Sequence, residues 1–214
     1  MNFERLYSYR FRDIDQDKRA AVWGEIAPHI HGLMGSPSVI LDPAAGRGEF
    51  VQAAPAKEAW AVDAVAYPEA THKPTTTIVT SQIMDADLPS GHFDGVFISN
   101  FLEHLPDQEA IAELLERMRE TMKPGGRIAI LGPNYRYCSG EYWDFADHYV
   151  ALTHLAIAEH LYAAGFEPQT VIPRYLPYSF RSGLPPSPAL TRMYLGFRPA
   201  WRLLGKQFLV IAKN

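Results

Sequence analysis

Val39-Ile40-Leu41-Asp42-Pro43-Ala44-Ala45-Gly46-Arg47-Gly48-Glu49-Phe50 reads as an apolar strand that runs into an acid and then into a turn of small residues opening a helix. Small side chains in such a turn let a ligand approach the backbone. In an open α/β sheet, ligands bind beyond the carboxyl ends of the strands, near the point where strand order reverses, and the turn after the first strand lies there. Seventeen residues after Gly46 a second apolar run ends in Ala61-Val62-Asp63. A carboxylate at that position can accept hydrogen bonds from both cis hydroxyls of a ribose.

Outward from this stretch, short apolar runs alternate with helical patterns. The runs are 38–41, 59–62, 77–79, 95–99, 127–131, 170–172 and 207–212, and several are apolar on consecutive residues, as strands covered on both faces must be. Between them, Ile111, Leu114, Leu115, Met118 and Met122 recur at spacings of three and four, an amphipathic helix closed by Lys123-Pro124-Gly125-Gly126. Residues 155–164 repeat the pattern and end at Gly165. This alternation predicts an α/β fold, a doubly wound layer of parallel strands covered by helices. With 214 residues, 47% hydrophobic and 21% charged, the chain is expected to form a single domain, 1–214, and not a disordered chain. An N-terminal helical cap (1–35) and an insertion (174–206) before the last strand complete it. The lone cysteine, Cys138, excludes an intramolecular disulfide framework. The charged first residues lack the apolar run of a signal peptide or membrane span, so a cytoplasmic location is expected.

The acid and the small-residue turn fit either a nicotinamide dinucleotide or S-adenosylmethionine, since both carry ribose and adenine. A dinucleotide fingerprint requires G-x-G-x-x-G, but from Gly46 the sixth position is Val51. The stretch instead resembles the D-x-G-x-G-x-G motif of class I S-adenosylmethionine-dependent methyltransferases, with Ala44 at the first glycine position. His92-Phe93-Asp94-Gly95-Val96 and Leu102-Glu103-His104-Leu105 resemble the same family's F-D-x-V and L-E-H-L segments, and Lys123-Pro124-Gly125-Gly126 its turn into the fifth strand. The resemblance covers about 39–166 and resumes in the last strand. It implies a seven-stranded, mostly parallel sheet with an antiparallel last strand, and S-adenosylmethionine as cofactor. Carried over by position, Asp42 faces the methionine amino end above the turn at Ala44, Gly46 and Gly48, and Asp63 holds the ribose. Asp85 is favoured over Met84 as the adenine contact, and Asn100, Phe101 and Leu102 line the cofactor cleft.

Methyl transfer from a sulfonium requires an acceptor atom held in line behind the methyl carbon, and a hydroxyl acceptor benefits from a base. His148, with Asp144 and Asp147 nearby to orient it, and His104 are the candidates, and Asp147 joins them as a catalytic residue. Each also has a structural reading: His104 as packing at the start of the helix at Asp107, and the acids as helix caps. No metal is assigned, because D-x-x-D-H carries no established ligand geometry. His154 and His160 are expected on a helix surface. Gly132-Pro133-Asn134-Tyr135 is similar to the N-P-P-Y motif of nucleic-acid amino methyltransferases but follows the wrong strand, which argues against DNA as substrate.

From Arg174 to Lys206 six basic residues stand without an acid, leaving 14 basic against 24 acidic residues elsewhere. Tyr175, Tyr178, Phe180, Tyr194, Phe197 and Trp201 accompany them, among prolines. Three readings stand: a lid whose arginines hold an anionic ligand, a contact with an anionic membrane surface, or packing against the domain or a partner subunit. A helix is expected from Pro188 to Leu195. The wording of the segment is similar to methyltransferase-like proteins associated with bacterial cell-surface polysaccharide synthesis. The expected function is therefore O-methylation of a small molecule or glycan precursor. A second expectation is that the N-terminal segment, with Tyr7, Tyr9 and Phe11, closes over the cleft. Non-catalytic cofactor binding and nicotinamide-dependent oxidoreduction are the alternatives, and the oligomeric state stays open.

Overall fold

Seven strands, Val39–Asp42 (β1), Glu58–Asp63 (β2), Thr76–Thr80 (β3), Phe93–Ser99 (β4), Met122–Pro133 (β5), Glu167–Ile172 (β6) and Gln207–Lys213 (β7), form one sheet in the order β3-β2-β1-β4-β5-β7-β6. The computed structural model describes residues 3–67, 72–178 and 186–214. Phe180 and Arg181 of the insertion lie outside the described residues. Strands β1 to β5 are parallel to their neighbours, and β7 enters antiparallel between β5 and β6. Strand order therefore reverses between β1 and β4, where the Asp42 turn sits.

The helices are Phe3–Phe11 (α1), Gln16–Leu33 (α2), Glu49–Ala53 (α3), Gln108–Thr121 (α4), Tyr135–Tyr142 (α5), His154–Ala163 (α6), Pro188–Gly196 (α7) and Arg198–Leu204 (α8), with a 3-10 turn at Leu102–His104. Because strand side chains alternate between faces, each apolar run feeds two cores. Leu41, Val96, Ile98, Ile128 and Ile130 pack with Ile111, Leu114, Leu115 and Met118 of α4 and with Ile157 and Leu161 of α6. Ile40, Phe97, Ala129 and Leu131 pack on the other face with Ile26 and Ile30 of α2 and with Phe50 of α3. Trp201 of α8 and Leu195 of α7 extend this second core.

Local chemistry sets several boundaries. The Asp107 carboxylate accepts the Ala110 N–H at 2.9 Å and so starts α4. Ser187 precedes α7, whose first residue is Pro188, the helix position where a missing N–H does no harm. Asp94 accepts the Val39 N–H at 2.6 Å, so the F-D-x-V segment fixes β1 beside β4. Lys123-Pro124-Gly125-Gly126 does more than stop α4: it belongs to the first part of β5, where Gly125 has φ +81° and donates its N–H to the Asn214 carbonyl.

One surface expectation is corrected. His154 is buried, because it stands at the first turn of α6, facing Asn134 (Nδ1···Nδ2 2.9 Å) and stacking on Tyr137. His160 is partly buried, 2.5 Å from the Gln108 side chain.

Candidate active site

The turn after β1 and the acid that ends β2 meet. Asp63 Oδ2 accepts the Gly46 N–H at 2.7 Å, and its Oδ1 accepts the Val65 N–H at 2.9 Å. Each carboxylate oxygen retains a further lone pair for a hydroxyl. Burial raises the Asp63 pKa against the pull of those two N–H groups. Gly46 has φ +54°, and the space where its Cβ would stand is open, as a turn approached by a ligand requires. Gly48 has φ +77°, and a Cβ there would lie 3.0 Å from the His72 ring. Ala44, at the first glycine position, is half-buried and donates its N–H to Asp42 Oδ1 at 3.3 Å.

Asp42 is 2% exposed. Burial pushes its pKa up to about 8; the Ala44 N–H works against this, and the charges of Asp63 and Glu49 add to it. A cation arriving beside this carboxyl would return it to its ionised form. The donor set thus fits a group carrying an ammonium at one end and a ribose diol at the other.

Beyond β4 the chain turns sharply. Asn100 adopts φ +48°, donates its N–H to the Leu131 carbonyl and accepts from Gln207 Nε2 at 3.2 Å. Its exposed position suits the expected cleft wall, and Phe101 is half-buried beside it. The Leu102 side chain is buried among the residues under α4, which leaves its backbone to face a ligand. Asp85 is exposed on the loop after β3, where Arg117 of α4 pins the neighbouring Ile83 and Ala86 carbonyls.

The histidines gather on the far side of that turn. His104 Nδ1 lies 2.8 Å from the Asp147 carbonyl and 3.4 Å from its carboxylate. A carbonyl only accepts, so Nδ1 carries the proton and Nε2 keeps its lone pair. Asp147 is fully buried and is also held by Arg10 of α1. Burial alone would raise its pKa, but the Arg10 hydrogen bond and the His104 charge outweigh it and hold the group below the usual range. His148 is not paired with Asp147 or Asp144 as expected. Asp144 is exposed, and His148 Nδ1 is buried without a hydrogen-bond partner among the described residues. The His148 ring stacks on Phe145 at 5.0 Å and meets the edges of Tyr142 and His104. Burial, then the charge of His104, lowers its pKa to about 4.

Glu103 is buried, and burial raises its carboxyl. Among the described residues, its ligand atom and those of His104 and His148 lie within 4.8 Å of one another. This trio, and not Asp144, Asp147 and His148, is the set with metal-ligand chemistry.

Helix α1 spans both halves. Arg10 reaches Asp147 and lies 5.0 Å over the Phe145 ring and 5.2 Å over that of Tyr7. Burial and the Asp147 charge raise the Tyr7 hydroxyl. Tyr67, beyond β2, is pushed up to about 12 by burial and by the charges of Asp63 and Glu49. Tyr9 is 66% exposed, with the Arg12 guanidinium 4.0 Å over its ring. Arg10, Tyr67 and Glu103 were not among the residues expected from sequence. Glu103 stood in the L-E-H-L segment, whereas nothing local marks Arg10, which is 137 residues from its partner. Cys138, Tyr142 and Tyr178 form a small buried cluster with Tyr135 and Phe145 against this side.

A doubly wound sheet with a small-residue turn and a ribose-type acid at its switch point is the build of enzymes that use nucleoside cofactors. The methyltransferase domain family model matches residues 16–171, and the chain belongs to that family. Its fold is shared by an S-adenosylmethionine-dependent methyltransferase from Archaeoglobus fulgidus (21% identity, TM-score 0.68, 100% of both chains). It is shared too by the Burkholderia thailandensis 1,6-didemethyltoxoflavin-N1-methyltransferase with bound S-adenosylhomocysteine (23%, 0.62, 99% of this chain and 85% of that one). The N-methyltransferase NodS of Bradyrhizobium japonicum, bound to S-adenosylhomocysteine, is also similar (14%, 0.64, 99% and 95%). No curated protein matches the chain in sequence.

Proposed function

We propose that this methyltransferase alkylates a hydroxyl of a small molecule or glycan precursor, with His104 as proton acceptor. Its cofactor is S-adenosylmethionine. The observation that carries the assignment is the Gly46 N–H···Asp63 hydrogen bond, which brings the turn and the carboxylate to one place. Asp42 takes the amino end, Asp63 the ribose, and the backbone at Ala44, Gly46 and Gly48 the space between. Asp85 serves the adenine, and Asn100, Phe101 and the Leu102 backbone the wall. When bound, the cofactor supplies a methyl group on a sulfonium, so transfer is a displacement at carbon.

The chain's own part is to position the acceptor and receive its proton. His104 Nε2 takes the proton as the acceptor oxygen attacks; the Asp147 carbonyl orients the ring, and the buried Asp147 carboxylate, held by Arg10, stabilises the imidazolium. His148 is the weaker base, because a conjugate acid with a pKa of about 4 binds a proton poorly at neutral pH. It serves instead as a neutral wall of the acceptor pocket.

Calorimetric titration with S-adenosylhomocysteine and with NAD tests the cofactor: tight binding of NAD alone would remove this reading. A labelled-methyl screen over hydroxyl, amine and carboxylate acceptors tests the rest, with transfer to hydroxyl compounds expected. The Glu103, His104 and His148 trio favours a second reading, in which a divalent cation binds the acceptor hydroxyl. A rate abolished by EDTA and restored by a divalent transition metal would select it.

A further inference from the structure

Helices α7 and α8 show two faces of opposite character. Inward, Leu195 and Trp201 are buried against the sheet. The Tyr194 hydroxyl donates to the Tyr175 carbonyl at 2.6 Å, the Trp201 indole donates to the Tyr194 carbonyl, and Arg192 pairs with Glu25 of α2. The packing reading of the insertion therefore holds for this inner face. Outward, Leu190 and Met193, three apart on one side of α7, are exposed at 44 and 66%, and Phe197, at the junction of α7 and α8, at 58%. Leu203 and Leu204 of α8 are exposed at 76 and 43%. Large apolar side chains held in water this close together mark a contact surface.

The charge around them identifies the partner. Arg198 and Arg202 are exposed among these residues, Arg192 is engaged by Glu25, and no acid occurs between 174 and 206. A second copy docked by a twofold axis would set these arginines against their own images. Apolar side chains flanked by arginines match the boundary of a lipid leaflet, where the former enter the acyl region and the latter meet phosphate. Among the described residues no helix is long and apolar enough to cross a membrane, so the contact is peripheral. We propose that the outer face of α7 and α8 docks this protein on an anionic membrane surface. The docked face adjoins the cleft: α8 leads through Lys206 into Gln207, whose side chain holds Asn100, and the Lys206 carbonyl accepts the Asn134 N–H. An acceptor presented at the lipid–water boundary then enters beside it.

Co-sedimentation of the full chain with phosphatidylcholine vesicles, with and without phosphatidylglycerol, tests this without any methyl donor, so it stands or falls apart from the catalytic assignment. Binding at least ~10-fold tighter to the anionic vesicles, weakening with salt, is expected. The double variant Phe197→Asp/Leu203→Asp should lose it. Arg198→Gln/Arg202→Gln should lose most of the preference for phosphatidylglycerol, while both variants keep the parent melting temperature and S-adenosylhomocysteine affinity. No binding to anionic vesicles at low salt would overturn the proposal, and so would binding that both variants retain. A concentration-dependent dimer that Phe197→Asp abolishes, in a protein indifferent to vesicles, would assign the face to a second copy instead.

Discussion

The two halves of the cleft are built differently. On the cofactor half, Asp42, Gly46, Gly48 and Asp63 fall within 22 residues on neighbouring parallel strands, and backbone N–H groups make the decisive bonds. On the proposed acceptor half, Arg10, His104, Asp147, His148 and Tyr178 come from distant segments and meet mostly through side chains, with the Asp147 carbonyl as the backbone contact. A site made of backbone and short spacing is set by the fold itself. A site made of converging side chains is free to change with its substrate.

The sharpest way to break this division is at His104. His104→Ala should lower kcat by ~10²- to 10⁴-fold with S-adenosylhomocysteine affinity unchanged, whereas His148→Ala should act mainly on the KM for the acceptor. Equal losses of kcat in both variants would show that the two rings act as one unit. On the other half, Asp63→Ala should weaken cofactor binding by ~100-fold, since it removes charge-assisted acceptors, and calorimetry reads this directly. A large fall in kcat at saturating cofactor would contradict the separation. A smaller effect is expected at α1: Arg10→Gln should raise the acceptor KM several-fold, and proteolysis within α1 should become faster.

Asp42 gives the most delicate test. Its folded pKa, about 8, lies above the ordinary carboxyl value. Between those two values the folded state holds a proton that the unfolded chain has released, so the stability of the ligand-free protein falls as pH rises from about 4 to about 8. The slope is at most ~1.4 kcal/mol per pH unit. Melting temperatures across that window should show it, and Asp42→Asn should flatten the curve. Cofactor affinity should run the opposite way, tightening toward pH 8 as the carboxylate forms.

What was legible in the sequence follows the same division. All seven strands were marked by apolar runs, consecutive in the central strands because both faces are buried and short in the edge strands β3 and β6, and the short-range turn chemistry gave Asp42, Gly46, Gly48 and the start of α7. That the turn after β1 and Asp63 serve one ligand was expected, because parallel neighbours end at the same edge of a sheet, whereas the direct Gly46–Asp63 hydrogen bond was not read. Helix α5, with non-helical Cys138 inside it, carries no clear periodicity and was not read. His154 looked like a surface residue because its burial depends on Asn134, twenty residues away. The pairing of Asp147 with His104 in place of adjacent His148 escaped for a related reason: the chain reverses at 143–150, and proximity in sequence no longer orders proximity in space.

The position of β7 constrains how the molecule assembles. Among the described residues β6 has no ladder partner except β7, which arrives some 35 residues later, after α7 and α8. During synthesis β6 must therefore wait outside the growing sheet until the final segment slides in beside β5 and joins it. A chain cut before 207 should lose two strands in place of one, leaving a five-stranded remnant with the β5 edge bare.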